Sequence, residues 1–389
     1  MNINGLTLNS PSLPVLEKAL ASGKLHHACL FTGPDGSGKT AAAVETALSL
    51  LCRAPDNRPC RTCLSCRKLL HYNHPDFRVV FPFLSEKSFQ DTAKELQLRE
   101  TARQAEGEKV TYRDLFLKYL SESAGELVRD PLRPPRMMSD FKDKNREITI
   151  SIVRDLLEEV SMPPSESPFK VFLVAEADRM NSEAANALLK TLEEPPTYAK
   201  FLLVSSRPQR LLPTLRSRCQ IVKFQPLQEA DLLSYLESLP RTGGLSLRLA
   251  SAFSDGSVRE ALSLLDPENL PLLEEALDML EWCLSPGTQE ALALSEAYSS
   301  YSFPDNVKRL RFFLLFLREA EQRNRVTGTG ETGDAVERRL LSLTGRLPKG
   351  YFLRAFEKAR TAMDALERKM QARLVFCAFF FSLLDKEES

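Results

Sequence analysis

Short apolar runs alternate with amphipathic stretches through the first part of the chain. The run Ala28-Cys29-Leu30-Phe31-Thr32 is followed by a glycine-rich turn and a helix predicted over Lys39–Leu51. Asp76–Phe81, Val171–Val174, Phe201–Ser205 and Ile221–Phe224 have the same apolar character, as strands buried on both faces do. Ile152, Val153, Leu156, Leu157 and Val160 recur at helical spacing. A further helix is predicted from Ser182 to Glu194, stopped by Pro195-Pro196 because proline cannot continue the hydrogen-bond ladder. Strands alternating with helices of this length predict an α/β domain with a parallel sheet over residues 1–226.

From Leu227 no strand pattern recurs. A small helical unit is predicted over 227–268 and an all-α segment over 269–389, interrupted at Thr327-Gly328-Thr329-Gly330. The last helix is predicted as one continuous stripe through Phe352, Phe356, Ala359, Met363, Leu366, Met370, Leu374, Cys377, Phe381 and Leu384, suited to core packing or to subunit contact. Within the first domain the pattern lapses between about residues 85 and 147. Thirteen Lys+Arg and thirteen Asp+Glu fall there, with prolines at 131, 134 and 135, so the stretch reads as a solvated helical insertion.

The 389 residues are 43% hydrophobic and 27% charged, which excludes disordered and collagen-like chains. Lys+Arg and Asp+Glu balance at 52 each. A protein gripping nucleic acid alone shows an excess of cations, so any such contact is local or shared with partners. The N-terminus lacks the basic and apolar regions of a signal peptide, and no stretch is apolar over the length a spanning helix needs, so a cytoplasmic protein is expected.

Gly33-Pro34-Asp35-Gly36-Ser37-Gly38-Lys39-Thr40 is a complete phosphate loop between a predicted strand and a predicted helix. Backbone N–H groups around Gly33, Gly36, Ser37 and Gly38 would converge on phosphate, Lys39 would reach the terminal phosphates of ATP, and the Thr40 hydroxyl would ligate Mg²⁺. Cys52, Cys60, Cys63 and Cys66 suit structural zinc in a closed tetrahedral shell, with an iron–sulfur cluster the weaker reading. His71 and His74 lie just downstream as alternative ligands. Where a phosphate-loop ATPase places an acidic pair, the strand end reads Ala175-Glu176. The Mg²⁺-holding carboxylate is thus missing, Glu176 is the residual acid, and Asp178 reads as a surface residue two positions too late.

These motifs resemble the bacterial clamp-loader AAA+ family, the gamma/tau and delta-prime subunits of DNA polymerase III. The resemblance is carried by Leu25-His26-His27-Ala28, the phosphate loop, the cysteine module at 52–66, and Ala187-Leu188-Leu189-Lys190-Thr191-Leu192-Glu193-Glu194-Pro195-Pro196. Leu215-Arg216-Ser217-Arg218-Cys219 and Gly256-Ser257-Val258-Arg259-Glu260-Ala261 complete it. It implies an AAA+ domain, a helical lid over 227–268 and an oligomerising collar over 269–389. It also implies that Arg218 is a finger reaching ATP on a neighbouring subunit, the local alternative being a pair with a nearby acid. Arg259 falls at the sensor-2 position and Ser205 at sensor 1. Ala175, together with His74-Pro75-Asp76-Phe77, matches delta-prime better, and a gamma/tau-type motor using Glu176 is the alternative. The complete phosphate loop departs from those delta-prime subunits that have lost it. Implied partners are gamma/tau and delta subunits, the sliding clamp indirectly and primed DNA through the assembly, with little or no ATPase activity in the chain alone and no membrane contact.

Overall fold

The computed structural model describes residues 2–3, 5–95, 111–133, 135, 146–240, 245–325, 335–344, 346 and 351–384. The chain divides into two compact units. The first holds residues 1–238 with 255–260, the second 239–254 with 261–389, so the stretch 227–268 falls partly in each.

A short antiparallel hairpin, β1 (Asn2–Ile3) and β2 (Leu6–Thr7), opens the first unit, turning at Gly5. It is followed by α1 (Leu13–Ala21) and by β3 (Ala28–Thr32), α2 (Lys39–Leu51), α3 (Leu64–Leu70) and β4 (Phe77–Val80). After the insertion come α6 (Ile150–Ser161), β5 (Lys170–Val174), α7 (Ser182–Glu193), β6 (Ala199–Ser205), α8 (Pro213–Ser217), β7 (Gln220–Lys223) and α9 (Glu229–Glu237). The sheet order is β4-β5-β6-β3-β7, all parallel. Every expected strand is present within a residue or two of its predicted span. Parallel strands buried on both faces need no polar alternation, and every residue of β3 and β5 is buried.

Alternate strand residues feed a packed layer on one face of the sheet. Leu30, Phe172, Val174, Phe201 and Leu203 meet Val153, Leu156 and Val160 of α6 and Leu188 and Leu192 of α7. Phe172 and Phe201 stack with centroids 5.3 Å apart. The alanine-rich α2 is buried on nearly every side. Asn181 caps α7 by accepting from the Ala184 N–H at 2.9 Å, which sets where the helix begins.

The insertion differs from its solvated reading. Its described part contains α4 (Glu86–Glu95) and α5 (Tyr112–Arg129), the latter opened by a capping box between Thr111 and Asp114. Phe89 is fully buried and meets Phe116 and Tyr119 edge-on with centroids 5.4 Å apart. Lys87, Asp91, Lys94, Arg113, Asp114 and Lys118 are exposed, while the aromatic cluster forms a satellite core. Residues 96–110 and 136–145 lie outside the described residues.

Among the described residues of the second unit the regular elements are all helices: α10 (Leu247–Phe253), then, beyond α11 (Val258–Leu264), α12 (Leu270–Trp282), α13 (Thr288–Ser299), α14 (Phe303–Arg325), α15 (Ala335–Thr344), α16 (Tyr351–Glu367) and α17 (Ala372–Leu384). The expected single last helix is two. Lys369 takes the left-handed conformation at φ 61°, and the Met370 N–H bonds back to the Ala365 carbonyl at 3.2 Å, closing α16. The buried phase then shifts to Val375, Phe376, Phe379, Phe380 and Leu383, leaving Met370 and Leu374 exposed. Thr327–Gly330 lies outside the described residues. Among the described residues no helix is long and apolar enough to cross a membrane.

Candidate functional site

The phosphate loop joins the C-terminal end of β3 to the N-terminus of α2. Gly33, Gly36 and Gly38 all have positive φ, at 152°, 72° and 82°. A Cβ at these positions would also strike Phe224, Ser257 and Leu8, so the glycines answer to packing as well as to conformation. Lys39 is 4% exposed, and its ammonium donates to the Pro34 carbonyl and approaches Ser37 Oγ at 3.5 Å. Burial pushes Lys39 down to about 8, opposed mainly by the Asp35 carboxylate.

One pocket gathers Gly36, Gly38, Lys39, Thr40, Glu176, Ser205 and Arg259. Arg259 arrives because residues 255–260 are stitched to the loop. The Val258 N–H donates to the Gly36 carbonyl at 3.0 Å, and Gly256 accepts from the Leu227 N–H at 3.0 Å. Arg259 Nη1 pairs with Asp35 at 3.0 Å. Pro131 and Leu132, from the end of the insertion, also line this pocket, and Leu132 is buried.

The acidic side of the pocket is rearranged. Ala175 is buried at the strand end and offers no ligand. Glu176 stands in the left-handed region at φ 48° and pairs with Arg179 at 3.0 Å, both side chains open to solvent. Asp178, read from sequence as a bland surface residue, accepts from Ser205 Oγ at 2.7 Å across the β5–β6 boundary. Counting positions along the strand missed this, because residues 177–179 form a tight 3₁₀ turn that folds Asp178 back over the sheet.

Arg218 lies elsewhere. It precedes β7, whereas Lys39 follows β3, and these neighbouring strands run parallel. The two residues therefore sit at opposite ends of the strands, Arg218 at the N-terminal and Lys39 at the C-terminal side of the sheet. Arg218 Nη2 pairs with Glu193 at 2.7 Å and Nη1 donates to the Thr214 carbonyl at 3.0 Å, so in the isolated chain Arg218 makes a local pair with a nearby acid.

The sulfur atoms of Cys52, Cys60, Cys63 and Cys66 lie within 4.8 Å of one another. Cys52 is 3.5 Å from Cys60 and 4.0 Å from Cys63, close to the roughly 3.8 Å that four 2.3 Å Zn–S bonds require in a tetrahedron. Backbone N–H groups of Ala54, Cys60, Cys63 and Cys66 point at these sulfurs at 3.3–3.4 Å, as in sites built for thiolates. The N–H of Cys63, then that of Thr62, draws the Cys60 thiol down to about 6. Neither histidine joins them. His71 is exposed, and His74 is buried with Nε2 against Ser65 Oγ at 2.8 Å. His74 and Asp76 brace the fold instead: Asp76 is fully buried and accepts from the N–H groups of Ser165, Glu166 and Ser167.

The family model for "DNA polymerase III, delta subunit" matches residues 9–228, more than half of the chain. The chain belongs to that family. In this delta-subunit family chain the match takes in the phosphate loop, the cysteine module, the sheet and Arg218, and ends before Arg259. Similar proteins include subunit delta′ of Bacillus subtilis, 30% identical over 56% of this chain and 47% of that one. Subunit gamma of Buchnera aphidicola (Schizaphis graminum) is 28% identical over 64% of this chain and 54% of its own length. Subunit delta′ of Escherichia coli is 27% identical over 70% and 66%, respectively. The chain thus spans about half to two thirds of these relatives.

Proposed function

We propose that the chain is a delta-prime-type clamp-loader subunit of DNA polymerase III. It grips ATP with Mg²⁺ but hydrolyses it poorly, and donates Arg218 to the site of a gamma/tau neighbour during loading of the sliding clamp onto primed DNA. The observation that carries this reading is the pairing of an assembled phosphate cradle with Ala175, where a metal-holding carboxylate is needed. Positioned charge is what phosphoryl transfer depends on, and this pocket keeps Lys39 and Arg259 while Ala175 leaves the strand end without a metal-holding carboxylate. With Ala175 at the strand end, the motor alternative has only Glu176 and Asp178 to draw on, the one paired with Arg179 and the other accepting from Ser205. Residues 227–268 then act as the lid and 269–389 as the collar through which gamma/tau and delta subunits are met. Cys52, Cys60, Cys63 and Cys66 hold one structural zinc, whose chemistry is to cross-link the loop after α2. The deciding experiment compares ATP binding and turnover by the purified chain and by the reconstituted complex.

Nucleotide binding should depend on pH through Lys39. Its ammonium, held near 8 by burial, is charged at neutral pH and must be charged against a triphosphate. Affinity is therefore expected to be level near pH 7 and to fall by up to about tenfold per pH unit above 8, where binding must take up a proton. Calorimetric titration with a non-hydrolysable ATP analogue in buffers of different ionisation heat checks both features. Affinity unchanged to about pH 9.5 would contradict this role for Lys39.

A further inference from the structure

Resting on the reading of Arg218 as a donated group, we propose that Glu193 is its positioning residue. With the Thr214 carbonyl, its carboxylate holds the guanidinium in the orientation presented across a subunit interface. Glu193 closes α7 and Arg218 follows α8. The neighbouring Leu192 and Leu215 are 1% and 0% exposed, so both backbones are anchored in the same core. The C-terminal end of α7 adds partial negative charge where the cation sits.

The two contacts fix the guanidinium plane without consuming it. Of its five N–H donors, one on Nη2 goes to Glu193 and one on Nη1 to Thr214, leaving three for phosphate oxygens. The side chains of Arg218 and Glu193 are 35% and 44% exposed, so an incoming phosphate is not walled off. A free arginine would have to give up its rotamer freedom on reaching the neighbour's nucleotide. Held in advance, it has already done so, and that saving appears in the rate of the chemical step. An exposed ion pair adds little to folding stability, which separates this role from a merely structural one.

In the reconstituted complex, Glu193→Ala should lower kcat for ATP at the neighbouring site by about tenfold, with KM for ATP and the chain's thermal midpoint unchanged. Glu193→Gln keeps an acceptor and should recover turnover to within about threefold of the native value. In an Arg218→Ala background, Glu193→Ala should cost nothing further. Native or raised turnover in Glu193→Ala, or multiplying losses in the double variant, overturns the positioning role. If Arg218→Ala by itself changes nothing, the donated-arginine reading fails, and the positioning role falls with it.

Discussion

Arg218→Ala is expected to lower ATP turnover at the neighbouring subunit's site by about a thousandfold, the range in which an arginine supplied in trans acts. The topology says on which subunit the loss must appear. Arg218 enters β7 at the N-terminal end of the strands, opposite the end that carries Lys39, and even the four residues of β7 rise about 13 Å, so the guanidinium is not placed to serve its own chain's pocket. Nucleotide affinity of the isolated chain should be unaltered for the same reason. Arg218→Lys should recover little, because a lysine point charge cannot reproduce planar, multiple donation to phosphoryl oxygens. DNA-stimulated hydrolysis in a complex whose sole competent phosphate loop lies beside this subunit isolates the effect. Unchanged turnover there would refute the assignment.

Stripping or blocking the cysteine site should be nearly as costly, but to folding. The loop from Cys52 to Cys66 carries few apolar anchors of its own: Asn57 and Arg61 are in the left-handed region and residues 57–62 are open or half-buried. A structural zinc supplies free energy that such a segment lacks, about 10 kcal/mol or more in small zinc modules. Loosening reaches the nucleotide pocket through α2. Arg61 pairs with Glu45 of α2 at 2.6 Å, and Ser65 Oγ donates to the Leu51 carbonyl at 2.6 Å. Metal analysis is expected to return one zinc per chain, and Cys63→Ser to lower the thermal midpoint by about 10 °C. A zinc-free chain with an unchanged midpoint would exclude the structural site.

The sheet was legible because parallel strands buried on both faces are written as unbroken apolar runs, and the phosphate loop because its backbone demands glycines at fixed spacing. The cysteine cluster was legible for a related reason: sulfur spacing along the chain is short enough to fix sulfur spacing in space. Features that depend on a local reversal were not. Asp178 gains its partner from a 3₁₀ turn, and the last helix breaks at Lys369, which accepts a left-handed conformation without being glycine or asparagine. The insertion hid its aromatic core because Phe83, Phe89, Phe116 and Tyr119 are far apart in sequence and sit among balanced charges. Glu193 had no signal of its own; its relation to Arg218 appears only when α7 and α8 pack together.

ATP turnover by the purified chain, alone and then within the complex, is the most direct test of a pocket that grips triphosphate without cleaving it. The expected result is measurable binding with negligible hydrolysis by the chain alone, and hydrolysis in the complex that persists when Lys39 is replaced by alanine but collapses at the neighbouring site when Arg218 is. Brisk turnover by the isolated chain, abolished by Lys39→Ala, would contradict it.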